Sequence, residues 1–282
     1  MTLWDVYRAI RDRFRSAGLP TADLDARVLV SHAARIAPMD LPMRWDETAG
    51  HDVKADTDRL ADLRLCGVPV GRLVGEREFF GLPFELNAAT LEPRPDTELL
   101  VETVLEATHE SDAFTFADLG TGTGAIAVSI LVNRPAAFGL GVDLSETALQ
   151  CACANAHRHG VGDRLLPVRA DFGTPLAPGL DWIISNPPYI PSPVIGSLDE
   201  SVRVHDPLLA LDGGPDGLSA YRRISRQAGQ KLRPGGRLLL EIGYDQDVSV
   251  SGLLTGQGFT GIEMRRDLSG HPRMIMARLP EP

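Results

Sequence analysis

Beyond residue 96 the apolar pattern switches repeatedly between the two-residue period of strands and the 3.6-residue period of helices. It predicts a helix to about residue 108, a strand at 114–119, a helix at 124–133, a strand at 138–143, a helix at 145–159, strands at 165–169 and 180–185, a helix at 217–232, a strand at 236–242, and a last strand pair near 258–265 and 272–279. Strands that alternate with helices fold as an α/β domain with a mostly parallel, doubly wound sheet. Such a sheet binds its ligands outside the carboxyl ends of the strands, where the strand order reverses, and the first βα turn is the usual place.

The preceding residues read differently. In 1–70 the apolar positions recur at helical spacing, Trp4, Tyr7, Ile10 and Phe14, then Leu24, Val28 and Leu29, then Val53, Leu60 and Leu63, which predicts a small N-terminal helical domain. Residues 71–92 carry two short aromatic runs around Gly81-Leu82-Pro83, the sign of a β-hairpin, and are expected to link that domain to residues 93–282. A formal charge of −10, with no run of five or more Lys or Arg, argues against stable nucleic-acid binding. Cys66, Cys151 and Cys153 lack the second ligand pair that a tetrahedral zinc site needs, so no metal is expected and the thiols are read as reduced. No apolar run approaches the ~18 residues of a membrane span, and no signal-peptide core follows the N-terminus, so a cytoplasmic protein is expected.

The first βα turn is Asp118-Leu119-Gly120-Thr121-Gly122-Thr123-Gly124-Ala125. Its glycines let the backbone approach a ligand closely, and Asp143, at the end of the next strand, is placed to grip ribose hydroxyls. Read as G-x-G-x-x-A, the loop suits NAD as well as S-adenosylmethionine. Two features favour the latter. The acidic Asp118 suits a cationic ammonium and would repel a pyrophosphate. The second feature is Asn186-Pro187-Pro188-Tyr189, directly after the strand ending at Ser185, which hydride transfer does not call for. Asp171 and Phe172, after the third strand, offer a polar group and an aromatic face for an adenine ring.

Each proline of that tetrapeptide fixes φ and lacks an N–H, so the segment leaves the sheet and turns its carbonyls outward. A planar amide or exocyclic amine is a poor nucleophile because its lone pair is delocalised. Two acceptors aimed at its two N–H bonds stabilise it more as it becomes tetrahedral than before. The Asn186 side-chain oxygen and the Pro187 carbonyl supply such a pair, and Tyr189 would pack on the flat face of the substrate.

The chain resembles the HemK-like peptide chain release factor glutamine methyltransferases over nearly its whole length. The resemblance rests on Gly75 to Phe80, on Thr90-Leu91-Glu92-Pro93-Arg94-Pro95-Asp96-Thr97-Glu98, on the Asp118 to Ala125 loop, on Ser185 to Tyr189, and on Leu209 to Gly214. It implies a class I, Rossmann-like methyltransferase domain that converts S-adenosylmethionine to S-adenosylhomocysteine. The methyl acceptor it implies is the side-chain nitrogen of the Gln in the Gly-Gly-Gln motif of bacterial-type release factors. Carried over by motif position, Gly120 to Gly124 and Asp143 bind cofactor, Asn186 to Tyr189 hold the glutamine, and Arg94, Pro95 and Thr97 line the same cleft. Glu92 and Phe172 depart from the family pattern, which has an apolar residue and commonly a Trp there. The rival is an amino-group (adenine) DNA methyltransferase, which uses the same tetrapeptide on a flipped base but calls for a basic groove that this acidic chain lacks. Arg203, His205 and Asp206 read as a structural loop.

Overall fold

Residues 1–281 are described by the computed structural model, in which the chain divides into two compact units, Met1–Glu76 and Arg77–Pro282. The first contains α1 (Leu3–Ser16), α2 (Ala22–Ala34), α3 (His51–Leu65) and the single turn α4 (Val70–Val74). Helix α1 starts at a capping box: the Thr2 hydroxyl accepts from the Asp5 N–H, and the Asp5 carboxylate accepts from the Thr2 N–H. Tyr7, Ile10 and Phe14 are buried as their spacing predicts, but Leu24 and Leu63 are exposed. Helix α2 buries Ala22, Ala26, Leu29 and Val30, together with Asp25, whose carboxylate accepts from Arg64 at 2.7 Å.

A hairpin of β1 (Glu76–Phe79), whose first residue closes the first unit, and β2 (Leu82–Glu85) opens the second. Phe79 and Phe84 are buried in the core of this unit, and the buried Asn155 amide brackets Glu85 by accepting from its N–H and donating to its carbonyl. There follow α5 (Glu98–Glu106), β3 (Thr115–Leu119), α6 (Ala125–Asn133), β4 (Phe138–Asp143), α7 (Glu146–Arg158), β5 (Leu165–Arg169) and β6 (Leu180–Ser185). The chain continues through α8 (Glu200–His205), α9 (Leu208–Leu211), α10 (Ser219–Lys231), β7 (Leu232–Glu241), α11 (Asp247–Gly256), β8 (Thr260–Arg266) and β9 (Pro272–Arg278).

Seven strands form one sheet in the order β5-β4-β3-β6-β7-β9-β8, parallel except for the pairings of β9. Successive residues of the central strands enter opposite layers. Phe116, Trp182, Ile184 and Leu239 pack with α5 and α6, whereas Ala117, Ile183, Leu238 and Leu240 pack with α10 and α11. Central strands buried on both faces are what a parallel sheet covered by helices requires. Gly139 on β4 has a steric reason: a Cβ there would lie 2.6 Å from the Phe116 ring.

Three departures from the sequence reading have local causes. Strand β7 starts at Leu232, not near 236, because Pro234-Gly235-Gly236 form an irregularity in its pairing with β6 instead of ending it. Helix α11 has weak amphipathicity and glycines at positions 252 and 256, which hide it from a periodicity argument. The segment around Arg203, His205 and Asp206, expected as a loop, contains a 3₁₀ turn (Ser192–Ser197) and the short helices α8 and α9. Among the described residues, no helix is long and apolar enough to cross a membrane.

Candidate active site

The sheet order reverses at β3, which has β4 on one side and β6 on the other. Parallel register aligns Leu119 with Val142 and Asp118 with Ile184, so the glycine loop, Asp143 and Asn186 all emerge at the same edge. Two contacts stitch that edge together. The Ser185 hydroxyl donates to the Leu119 carbonyl at 2.6 Å, and the Val142 carbonyl accepts from the N–H groups of Gly120 and Thr121. Gly120, Gly122 and Gly124 all have positive φ, the backbone that makes glycine the fitting residue in this bend.

A cavity of about 230 Å³ opens over this edge. Its walls include Gly120 to Thr123, Asp143, Asp171, Phe172, Asn186, Pro188, Arg94 and Thr97. The structure thus gathers most of the residues expected from sequence into one cleft, although they are spread from Arg94 to Pro188 along the chain. Asp143 accepts from the Gly122 N–H at 3.0 Å through one oxygen and from the Ser145 N–H at 2.9 Å through the other. Asp171 pairs with Arg223 through one oxygen, while its other oxygen is buried and has no hydrogen-bond partner. Phe172 is held at φ 52°, and the Arg223 guanidinium lies 5.1 Å from its ring centroid.

Five expected residues do not line the cavity. Asp118 is wholly buried beneath the loop, where it accepts from the Thr121 hydroxyl at 2.7 Å; burial pushes its carboxyl up to about 7, against the opposing effect of that hydrogen bond. It holds the loop from below. Gly124 leads into α6, its α-carbon facing Ala152. Pro95 starts the 3₁₀ turn before α5, and Pro187 is buried behind the shelf. Tyr189 turns its hydroxyl to Glu241 at 3.4 Å, and burial raises its pKa strongly.

Beneath Asn186 lies a chain of hydrogen bonds that sequence reasoning did not find. The Asn186 amide nitrogen donates to the Thr97 hydroxyl at 3.0 Å, and that hydroxyl donates to the Glu241 carboxylate at 2.6 Å. Thr97 occupies the N-cap position of α5 yet makes no cap with its side chain. Its hydroxyl is committed to this chain instead. The Asn186 side-chain oxygen has no protein partner among the described residues. Arg94 reaches Asp206 at 2.7 Å, which ties the stretch before α5 to the segment following α8. Arg223, also absent from the sequence reading, carries no signal there, since it is one of several arginines on the polar face of α10.

The cleft fits the adenosine portion of S-adenosylmethionine and leaves room for the rest at the glycine loop. The unpartnered Asp171 oxygen suits an exocyclic amine, Asp143 retains lone pairs for hydroxyls, and Gly120 leaves open space, since even a Cβ there would meet nothing closer than 4.0 Å. The three cysteines carry thiols rather than disulfides, and the nearby histidines contact backbone carbonyls. His157 contacts the Cys153 carbonyl and His159 the Pro83 carbonyl, and no group of metal-binding side chains is found among the described residues.

Residues 5–75 match the family described as PrmC N-terminal domain, and residues 93–193 the methyltransferase small domain. The chain is 44% identical over 278 residues to the release factor glutamine methyltransferase of Bradyrhizobium diazoefficiens, with 96% of this chain and 93% of that protein covered. It is 43% identical over 276 residues to the release factor glutamine methyltransferase of Cereibacter sphaeroides, with 98% of each chain covered. A solved methyltransferase from Pyrococcus furiosus shares the fold, with a TM-score of 0.53 at 15% identity over 72% of this chain and 91% of that one.

Proposed function

The chain belongs to the release factor glutamine methyltransferase family, and from that premise we propose that it methylates the glutamine side chain of the Gly-Gly-Gln motif in bacterial-type peptide chain release factors. The observation that carries the reading is the Asn186 amide. Its nitrogen is tied back to Thr97, and its oxygen remains unpaired at the wall of the cleft.

Bound S-adenosylmethionine supplies an electrophilic methyl group on a sulfonium sulfur. Gly120 to Thr123 and Asp143 would hold its amino-acid and ribose portions, Asp171 and Phe172 its adenine. The Asn186 oxygen accepts from one N–H bond of the substrate glutamine, and the other is assigned to the backbone carbonyl of Pro187, a buried residue next to Asn186 in the chain. As its nitrogen turns tetrahedral those hydrogens become more acidic, so both hydrogen bonds strengthen toward the transition state. One of the two protons then leaves to solvent, and no side-chain base is required before attack. Pro188 and Arg94 bound the entrance for the substrate chain. Residues 1–70 are assigned to docking the release factor, and the enzyme is expected to act in the cytoplasm, where translation occurs.

Incubation with S-adenosylmethionine and a purified release factor should add one methyl to the Gly-Gly-Gln glutamine, read by peptide mass. Label on duplex DNA with none on the release factor would overturn the proposal. Asp143→Ala removes the acceptor for Gly122 and Ser145 as well as the ribose contact, and should weaken cofactor binding about tenfold or more by calorimetry. Unchanged affinity would remove Asp143 from the cofactor site.

A further inference from the structure

We propose that Glu241 is a positioning residue that acts through Thr97 to hold the Asn186 amide with its oxygen toward the substrate. This rests on the role given above to Asn186.

Along the chain of hydrogen bonds, donors and acceptors match in only one arrangement when Glu241 is ionised. An ionised carboxylate can only accept, and a threonine hydroxyl has one hydrogen. Glu241, wholly buried at the end of β7, takes that hydrogen at 2.6 Å. The Thr97 oxygen can then only accept from Asn186, so the amide nitrogen must face Thr97 at 3.0 Å and the oxygen must face away. A flipped amide would set two acceptors against each other. It would also present an NH₂ group to a substrate that itself needs acceptors. The polarity of the shelf is therefore dictated by a residue whose first link to Asn186 spans 144 positions in sequence.

Protonation would reverse it. Burial pushes the Glu241 carboxyl up to about 7, with the Thr97 hydrogen bond and the Arg273 charge opposing that rise. The groups that face it are Thr97, Tyr189, Arg273 and Asp96, with the Tyr221 hydroxyl on its backbone carbonyl. A protonated Glu241 can donate to the Thr97 oxygen, freeing the Thr97 hydrogen for Asn186 and favouring the flipped amide. The sign is fixed: the ionised form is the competent one, so activity is present above the Glu241 pKa and lost as pH falls through it.

The test uses the full-length chain with saturating S-adenosylmethionine and a purified release factor, measured from pH 6 to 9. Saturation separates this effect from any change in cofactor affinity caused by Asp118, whose carboxyl also lies near 7. The expected wild-type kcat falls about tenfold per pH unit on the acid side. Glu241→Gln keeps an acceptor for Thr97 but cannot titrate in this range. It should hold kcat within about threefold of wild type above pH 8 and lose the acid limb. Glu241→Leu should lose kcat about tenfold or more at every pH, with the cofactor dissociation constant little changed.

A second readout needs no substrate. The ¹⁵N side-chain resonance of Asn186, assigned by its loss in Asn186→Ala, should titrate in the wild type and not in Glu241→Gln. Persistence of the acid limb or of that titration in Glu241→Gln overturns the relay. A wild-type amide that titrates with Glu241 but accompanies no methylation of the release factor supports the relay and overturns the function assigned to it. Methylation with a pH-insensitive Asn186 amide does the reverse.

Discussion

Asn186→Ala should bind S-adenosylmethionine normally and transfer its methyl about a hundredfold more slowly. The substitution removes the one side-chain acceptor at the cleft wall, and loss of a single preorganised partner for developing charge costs roughly 3 kcal/mol of barrier in comparable sites. At room temperature that is on the order of 10² in rate. The effect belongs in kcat, because the bond strengthens chiefly as the glutamine nitrogen becomes tetrahedral, and a ground-state contact would appear in KM instead. Single-turnover transfer with saturating cofactor measures it directly. A near-normal rate would mean that the substrate amide is held by other acceptors. The change also leaves the Thr97 oxygen without its donor. Some loss of thermal stability is therefore expected, about 1 kcal/mol, which separates cleanly from the kinetic effect in a melting curve.

The parts of this site that could be read in the sequence are those that constrain the backbone. Glycines at 120, 122 and 124 announce a bend with positive φ, and they adopt it. Pro187 and Pro188 announce a strand that must leave the sheet, and β6 ends at Ser185. Alternating periods announced the sheet, and the placement of β6 beside β3 brought the two motifs to one edge. Side-chain partnership over long separations was not legible. Glu241 stands at the end of an apolar strand with nothing to mark it from a solvated terminus, and Thr97 is expected only as one of the residues lining the cleft. Only the fold brings them to 2.6 Å of one another. Tyr189, read as a stacking face for the substrate, turns its hydroxyl to Glu241 and does not line the cavity. In α2 one of the leucines that suggested the buried face, Leu24, is exposed, and the buried face instead combines Leu29 with Ala22, Ala26 and Val30.

Gly213→Ala should cost about as much activity as the loss of Asn186, although residue 213 carries no chemistry. The segment before α10 runs beside the shelf and is bonded to it through the backbone. The Ile190 carbonyl accepts from Gly213 N–H at 2.8 Å, the Leu211 carbonyl accepts from Ile190 N–H at 3.0 Å, and the Gly214 carbonyl accepts from Ser192 N–H at 2.9 Å. A Cβ at 213 would lie 2.8 Å from both the Cα and the carbonyl carbon of Tyr189, and 2.9 Å from the Gly217 Cα. These are backbone atoms and cannot rotate aside, so the shelf itself must move. Overpacking of this kind typically costs 1–3 kcal/mol of stability. A displacement of about 1 Å at an orienting group can cost on the order of 10² in rate. The expected variant is folded, binds cofactor at the glycine loop, and has kcat reduced about a hundredfold. Gly229→Ala provides the contrast, because a Cβ there meets nothing within 4 Å on α10 and should raise stability by up to about 1 kcal/mol with kcat unchanged. Wild-type kcat in Gly213→Ala would show that the shelf tolerates displacement, and rigid placement of its acceptors would then no longer explain the rate.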